Sequence, residues 1–201
     1  MAGQPGGIFC IEGQWDGDLR VNASVKNILE LLGLELIRYV HRDVATAEEF
    51  RYYIERWRGR RFASYSVGYF ATHGSSQRLH LGEGHELTVD ELAQLLAGRC
   101  TGRKIYFGGC RVLDVGEPRL RKFLDTTGAE LLCGFTKSVK FVEAAAFETV
   151  LLDALVNGTR IDRVQQLAAS KKWASLAADL GFTIVYRGPE RAMWKANGNS
   201  R

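Results

Sequence analysis

Long hydrophobic runs are missing from this chain. No uninterrupted apolar stretch exceeds a handful of residues, far short of the roughly 20 that cross a bilayer as a helix, so no membrane role is expected. The opening MAGQPGGIFCIEG carries neither a basic leader nor an apolar export segment, which points to the cytoplasm. Proline is scarce, at 3 residues in 201, and no Pro/Ser linker, low-complexity tract or internal repeat divides the sequence. At roughly 100–200 residues per domain, a single domain is expected over residues 1–187, followed by a basic tail at 188–201. The 4 cysteines show no C-x-x-C spacing, which argues against a disulfide framework or a zinc knuckle. A strong charge of one sign is absent too. The net charge is +4, and the stretch holding Arg187, Arg191, Lys195 and Arg201 against Glu190 supplies most of it. The body is therefore near neutral, and no nucleic-acid partner is expected.

What is present is a globular composition, 46% hydrophobic and 25% charged, enough to bury a core. Short apolar runs alternate with longer amphipathic stretches. GIFCIE reads as a first strand, and residues 22–33 as a helix with Asn22 or Ser24 as its cap and Gly33 as its stop. LELIRYV reads as the second strand. Thr46 and Glu49 have capping-box spacing and open a helix to about Arg58. SVGYFATHG is the third strand and its exit, and RLHLGEGHELT is a hairpin turning at Gly82–Gly84. Thr88 and Glu91 form a second capping box, KIYFGGC is a fourth strand, and Pro118 lies in the first turn of a further helix. AELLCGF is a fifth strand, Ser138 caps the helix after it, another helix spans 162–179, and GFTIVYR is a sixth strand. The tail is expected to fray beyond Trp194. Strands alternating with helices give an α/β fold with a mostly parallel six-stranded sheet covered by helices on both faces. In such sheets ligands gather beyond the carboxyl ends of the strands.

Two of those exits carry reactive side chains, His73 after strand three and Cys110 after strand four. Consecutive strands usually lie side by side, so the two would share one rim. An imidazole can take the thiol proton and hand it to a leaving group, which makes the pair a nucleophile and its base. Glycines adjoin both residues. Without a Cβ at Gly74 or Gly109, backbone N–H groups can approach a tetrahedral oxyanion closely. Taken singly, each residue has a plainer reading, a strand-end histidine and a small buried hydrophobe. It is their joint placement that singles them out. A nucleophile elbow of the hydrolase or amidotransferase kind needs G-x-C-x-G and a later histidine. Val112 stands where the second glycine would be, and no histidine follows Cys110.

The pattern of an apolar strand ending in His-Gly, then an apolar strand ending in Cys, resembles the caspase-like cysteine peptidases, the group of caspases, metacaspases, paracaspases, legumains and gingipains. The resemblance spans about residues 7–155 and implies a caspase-like three-layer sandwich in a compact, prokaryotic-type member resembling effectors of bacterial defence. Carried over, His73 is the catalytic histidine, Cys110 the nucleophile, and Gly74 with the Cys110 N–H the oxyanion hole. The chain departs from caspases in keeping only Cys110-Arg111 of Gln-Ala-Cys-Arg-Gly, and from metacaspases in having Gly108 where they have an aspartate. In this family the pocket for the residue before the scissile bond, P1, is built from loops after strands one, four and five. Those loops offer Glu12, Asp16 and Asp18, and then Glu143 in a stretch similar to the paracaspase segment that holds an arginine. Carboxylates there favour a basic P1, while Lys137 and Lys140 in the same loop argue for an acidic one.

The resemblance thus implies a cysteine endopeptidase acting on protein or peptide substrates, with no metal or organic cofactor and with room for a regulatory partner or a homodimer. The alternative is an inactive caspase-like domain that serves as a binding or scaffolding module. Of the other features, the run Arg56–Arg61 reads as a helix C-terminus whose dipole favours cations, and a self-processing site is its second reading. His80 and His85 decorate the hairpin, and Cys10 and Cys133 pack within the sheet.

Overall fold

A computed structural model of the chain describes residues 6–18, 20–158, 162–187 and 193–196. Its main sheet has seven strands: β1 (Gly7–Gly13), β2 (Arg38–Val44), β3 (Val67–Ala71), β7 (Lys104–Phe107), β8 (Leu131–Phe135), β9 (Phe182–Tyr186) and β10 (Trp194–Lys195). They lie in the order β10-β9-β8-β7-β3-β1-β2. The ladders from β2 to β8 are all parallel, β9 pairs antiparallel with β8, and β10 pairs antiparallel with β9. A second sheet of β4 (His73–Ser75), β5 (Arg78–Gly82) and β6 (His85–Thr88) stands at the exit of β3.

Each inner strand is apolar throughout because both faces are covered. Ile8, Cys10, Val67, Tyr69, Tyr106, Cys133 and Ile184 point to one hydrophobic cluster, shared with α1 (Lys26–Leu34), α5 (Phe141–Asn157), α6 (Arg163–Ala169) and α7 (Ala174–Asp179). Phe9, Ile11, Phe70, Ile105, Phe107, Leu132 and Val185 point to the other, shared with α2 (Ala47–Trp57), α3 (Val89–Leu95) and α4 (Glu117–Thr127). The assignment alternates residue by residue, as the two-residue period of a strand requires. Among the described residues, no helix is long and apolar enough to cross a membrane.

Both capping boxes form. Thr46 and Thr88 accept from the N–H groups of Glu49 and Glu91, whose carboxylates return the bond to the cap N–H. The hairpin turns as expected, with a bulge between His80 and Gly82.

Four expectations are corrected. The second strand is Arg38–Val44, four residues later than LELIRYV, because α1 runs through Gly33 to Leu34 and the chain then reverses at Leu36, whose φ is 62°. The N-cap position of α1 is Val25, with no side-chain bond, because Ser24 accepts from the Lys26 N–H at 3.0 Å and donates to Glu12 at 2.7 Å. Ser138 does not cap α5; the cap position is Lys140, with no side-chain bond. The helix expected at 162–179 is α6 and α7, broken where Ser170 takes an extended conformation. The sheet also gains a seventh strand: Trp194–Lys195 pairs with β9, and the Trp194 ring packs 6.4 Å from that of Phe182. The rest of the expected tail lies outside the described residues.

Candidate active site

The carboxyl ends of β1, β3 and β7 meet where the strand order reverses. β1 has β2 on one side and β3 on the other, so the connections leaving it part there and open a crevice. Register places Glu12 beside Ala71 and Phe70 beside Phe107, which brings the three exits to one edge.

His73 leaves β3 through buried Thr72 and starts β4. Its Nε2 lies 2.7 Å from the Trp15 carbonyl oxygen, and its ring meets the Trp15 indole edge-on, with centroids 5.0 Å apart at 76°. A carbonyl can only accept, so Nε2 carries the hydrogen, and in the neutral ring Nδ1 is the basic nitrogen. The backbone of the β1 exit loop therefore orients the imidazole.

Cys110 sits on the turn after β7. Its Sγ accepts the Val139 N–H at 3.3 Å, just before α5 begins. The turn is held by the Arg111 N–H on the Lys137 carbonyl at 3.1 Å and the Leu113 N–H on the Phe135 carbonyl at 3.2 Å. Arg111 itself has φ 55°, a left-handed conformation for a residue with a side chain, and its guanidinium reaches Asp114 at 2.8 Å. Backbone strain thus sits directly beside the sulfur. The other three cysteines are buried. Burial pushes the Cys10 and Cys133 thiols far up and the Cys100 thiol up to about 11. Cys110 is the one half-exposed sulfur of the four.

Gly74 ties the two exits together by close approach. A Cβ there would stand 2.5 Å from Val112 Cγ2 and 2.6 Å from the Cys110 carbonyl oxygen, with the Cys110 nitrogen at 3.3 Å. His73 and Cys110 then line one pocket of about 110 Å³, walled by Trp15, Val25, Val139 and Phe141. That is several times the roughly 10–15 Å³ that seats a single water, so a substrate group can enter.

The acidic residues singled out from the sequence lie elsewhere. Glu12 is 1% exposed and saturated: it accepts from Ser24 Oγ at 2.7 Å, the Val25 N–H at 2.7 Å, His41 Nε2 at 2.5 Å and the Trp15 indole N–H. Burial alone would raise its pKa, but these bonds outweigh it and hold the carboxyl below the usual range. Glu12 therefore staples the loop that carries Trp15. Asp16 and Asp18 are exposed, and Asp18 pairs with Arg20 at 2.6 Å. They line a separate groove of about 380 Å³ with Asp43 and Glu49, beyond Trp15 from the cysteine. Glu143 is half-exposed on the first turn of α5, 3.5 Å from Lys140. Lys137 donates to the Ala178 carbonyl at 2.8 Å. Among the described residues, Glu12, His41 and Asp43 have the spacing to hold a metal ion, with ligand atoms within 4.8 Å. The four donors on Glu12 already occupy both of its oxygens.

The acid that does line the pocket is Glu148, 4% exposed, on α5. It accepts from Tyr69 Oη at 2.9 Å and Tyr106 Oη at 2.7 Å. Burial pushes its pKa up to about 7, against the pull of the two phenols, and the Glu12 charge adds to the rise. Sequence reading did not single out Trp15 or Val139, and it took in Glu148 only as the end of the stretch 134–148 from which Glu143 was chosen. The signal for Glu148 was there: one carboxyl in the apolar stretch AAAFETVLLDAL, and one tyrosine at the middle of each of two apolar strands.

Fold and site define an α/β protein with a thiol and an imidazole facing one pocket at the reversal point of a mostly parallel sheet. The chain belongs to the DUF6642 family, a family of unknown function, whose profile matches residues 6–186. No curated protein matches it.

Proposed function

We propose that the chain is a cysteine endopeptidase of the caspase-like kind. The observation that carries this reading is that His73, oriented through Nε2, and Cys110, the accessible thiol, line the same pocket. The order of the two motifs and the mostly parallel sheet with β9 antiparallel to β8 support the caspase-like assignment.

In the reaction, His73 Nδ1 takes the thiol proton and Cys110 Sγ attacks the peptide carbonyl carbon. The N–H groups of Gly74 and Cys110 hold the oxyanion. As the carbonyl re-forms, the C–N bond breaks and His73 gives its proton to the departing amine, leaving a thioester. His73 then takes a proton from water, the hydroxyl attacks the thioester, and the Cys110 sulfur leaves with that proton. The Trp15 carbonyl keeps the ring in place without a third side chain.

The test is labelling with a peptidyl electrophile that reports on every cysteine. The reading expects one fast-reacting thiol, Cys110, whose labelling falls at least about tenfold in His73→Ala, since general base catalysis supplies typically 10²–10⁴-fold. Four thiols that react slowly and alike, unaffected by His73→Ala, would mean an inactive module.

A further inference from the structure

The small sheet of β4, β5 and β6 has one face that the peptidase reading leaves unused. Leu79 and Leu87, paired across β5 and β6, point into the core and are buried. Their neighbours along each strand point the other way. Residues directly opposite on adjacent strands project together, so Ser75 on β4, Arg78 and His80 on β5, and Glu86 on β6 share the outer face. From the sequence His80 reads as decoration of the hairpin; the structure gives it two partners.

On that face the three strands contribute one group each to a line. Ser75 Oγ lies 2.9 Å from His80 Nε2, and His80 Nδ1 lies 3.5 Å from Glu86 Oε2. The other Glu86 oxygen is held by the Arg78 guanidinium. A carboxylate can only accept, so it places the imidazole hydrogen on Nδ1. That turns the Nε2 lone pair toward the serine, whose hydroxyl donates to it. Among the described residues the Ser75 hydroxyl has no other hydrogen-bond partner. A hydroxyl bonded to a base, with the base aligned by a third group, is the arrangement that activates a serine. Contacts as long as the one to Glu86 shorten in such relays when substrate is bound.

We propose that Ser75, His80 and Glu86 form a second hydrolytic centre, separate from Cys110, that cleaves small carboxylic esters. The side chains of His80, Glu86 and Arg78 are 39, 43 and 47% exposed, so the face is open and grips its substrate little. An ester suits such a site, because its alkoxide leaves more readily than the amine of a peptide. Arg78 lies directly across from Ser75 and uses one of its five N–H donors on Glu86, so the others can meet the oxyanion.

In the reaction, Ser75 Oγ attacks the ester carbonyl carbon as its proton passes to His80 Nε2. The carbonyl re-forms, the carbon–oxygen bond to the alcohol breaks, and His80 gives the proton to the departing alkoxide, leaving an acyl-serine. Water then attacks the acyl-serine and gives a proton to His80, and the acid is released as Ser75 Oγ takes that proton back. Glu86 keeps Nδ1 protonated and stabilises the charged ring.

The experiment treats the full chain with an alkyl fluorophosphonate, which reacts with activated serines, and locates the adduct by peptide mapping and mass spectrometry. The adduct is expected on Ser75, and its rate of formation is expected to fall at least about 100-fold in His80→Gln, the lower end of what general base catalysis supplies. In wild type whose Cys110 has been blocked with iodoacetamide, hydrolysis of p-nitrophenyl acetate is expected to persist, and it is expected to be lost in Ser75→Ala treated the same way. No adduct on Ser75, an adduct that forms as fast in His80→Gln, or ester hydrolysis unchanged in Ser75→Ala would each overturn the proposal. Mapping the adduct on wild type needs no variant, so it decides alone if a variant does not fold. Because Cys110 is blocked in the ester assay, failure here leaves the peptidase reading standing, and a chain that cleaves no peptide can still pass this test.

Discussion

Glu12 and Glu148 are both buried carboxyls, and their surroundings push them in opposite directions. Glu148 binds its proton more tightly in the folded chain than the usual 4.5 of an unfolded one, with a value of about 7. Its contribution to stability is therefore full below about 4.5 and is lost as pH rises through about 7, a fall on the order of 3 kcal/mol. Denaturant unfolding between those pH values should show the fall in wild type and lose it in Glu148→Gln. For Glu12 the sign reverses. Its carboxyl is held below 4.5, so its contribution is present above that value and is lost on acidification. Glu12→Ala removes the acceptor of His41, Ser24 and Val25 and should cost about 2–4 kcal/mol at neutral pH by the same measurement. Sequence position alone put Glu12 at a strand exit, which is correct. It could not reveal that four donors converge there from a loop, a helix start and a neighbouring strand, since those partners are 3 to 29 residues away.

At the scale of elements, local signals were legible where they are self-contained. Both capping boxes, the hairpin turn and the proline at the start of α4 carry their mechanism within a few residues, and all are present. The missed boundaries have tertiary causes. β2 is an edge strand of mixed exposure, so the apolar run just before it was the stronger pattern, yet Leu34 and Leu36 are 79% and 82% exposed. The start of α5 is set by the Val139 N–H on Cys110 rather than by a side-chain cap. The junction of the two exits that carry His73 and Cys110 makes its own prediction. Gly74→Ala drives a methyl into Val112 and the Cys110 carbonyl, so it should lower stability by about 1–3 kcal/mol and slow Cys110 labelling more than its folding loss explains. Arg111→Gly relieves the left-handed residue next to the sulfur and should raise the melting temperature, by about 1 kcal/mol in stability.

At the scale of the molecule, parallel β-α alternation was readable because buried strands are apolar on both faces, and the sheet follows that reading from β2 to β8 before β9 pairs antiparallel. The seventh strand was not, since Trp194–Lys195 is two residues long and takes its structure from β9. That strand covers an edge whose ladder would otherwise be open. Removing residues 193–201 should therefore expose β9 and promote self-association, seen as a concentration-dependent rise in apparent mass by light scattering. The joint placement of His73 and Cys110 was legible for a reason of the same scale: neighbouring parallel strands bring consecutive exits to one rim. The Trp15 carbonyl that aims the imidazole was not, because a backbone oxygen carries no residue signature.

The central claim, that one imidazole and one sulfur act on a single peptide bond, is tested most directly by a positional-scanning peptide library turned over by wild type, His73→Ala and Cys110→Ala. The account predicts cleavage by wild type and a loss of at least about 10³-fold in each variant. Cleavage that persists in Cys110→Ala would contradict it.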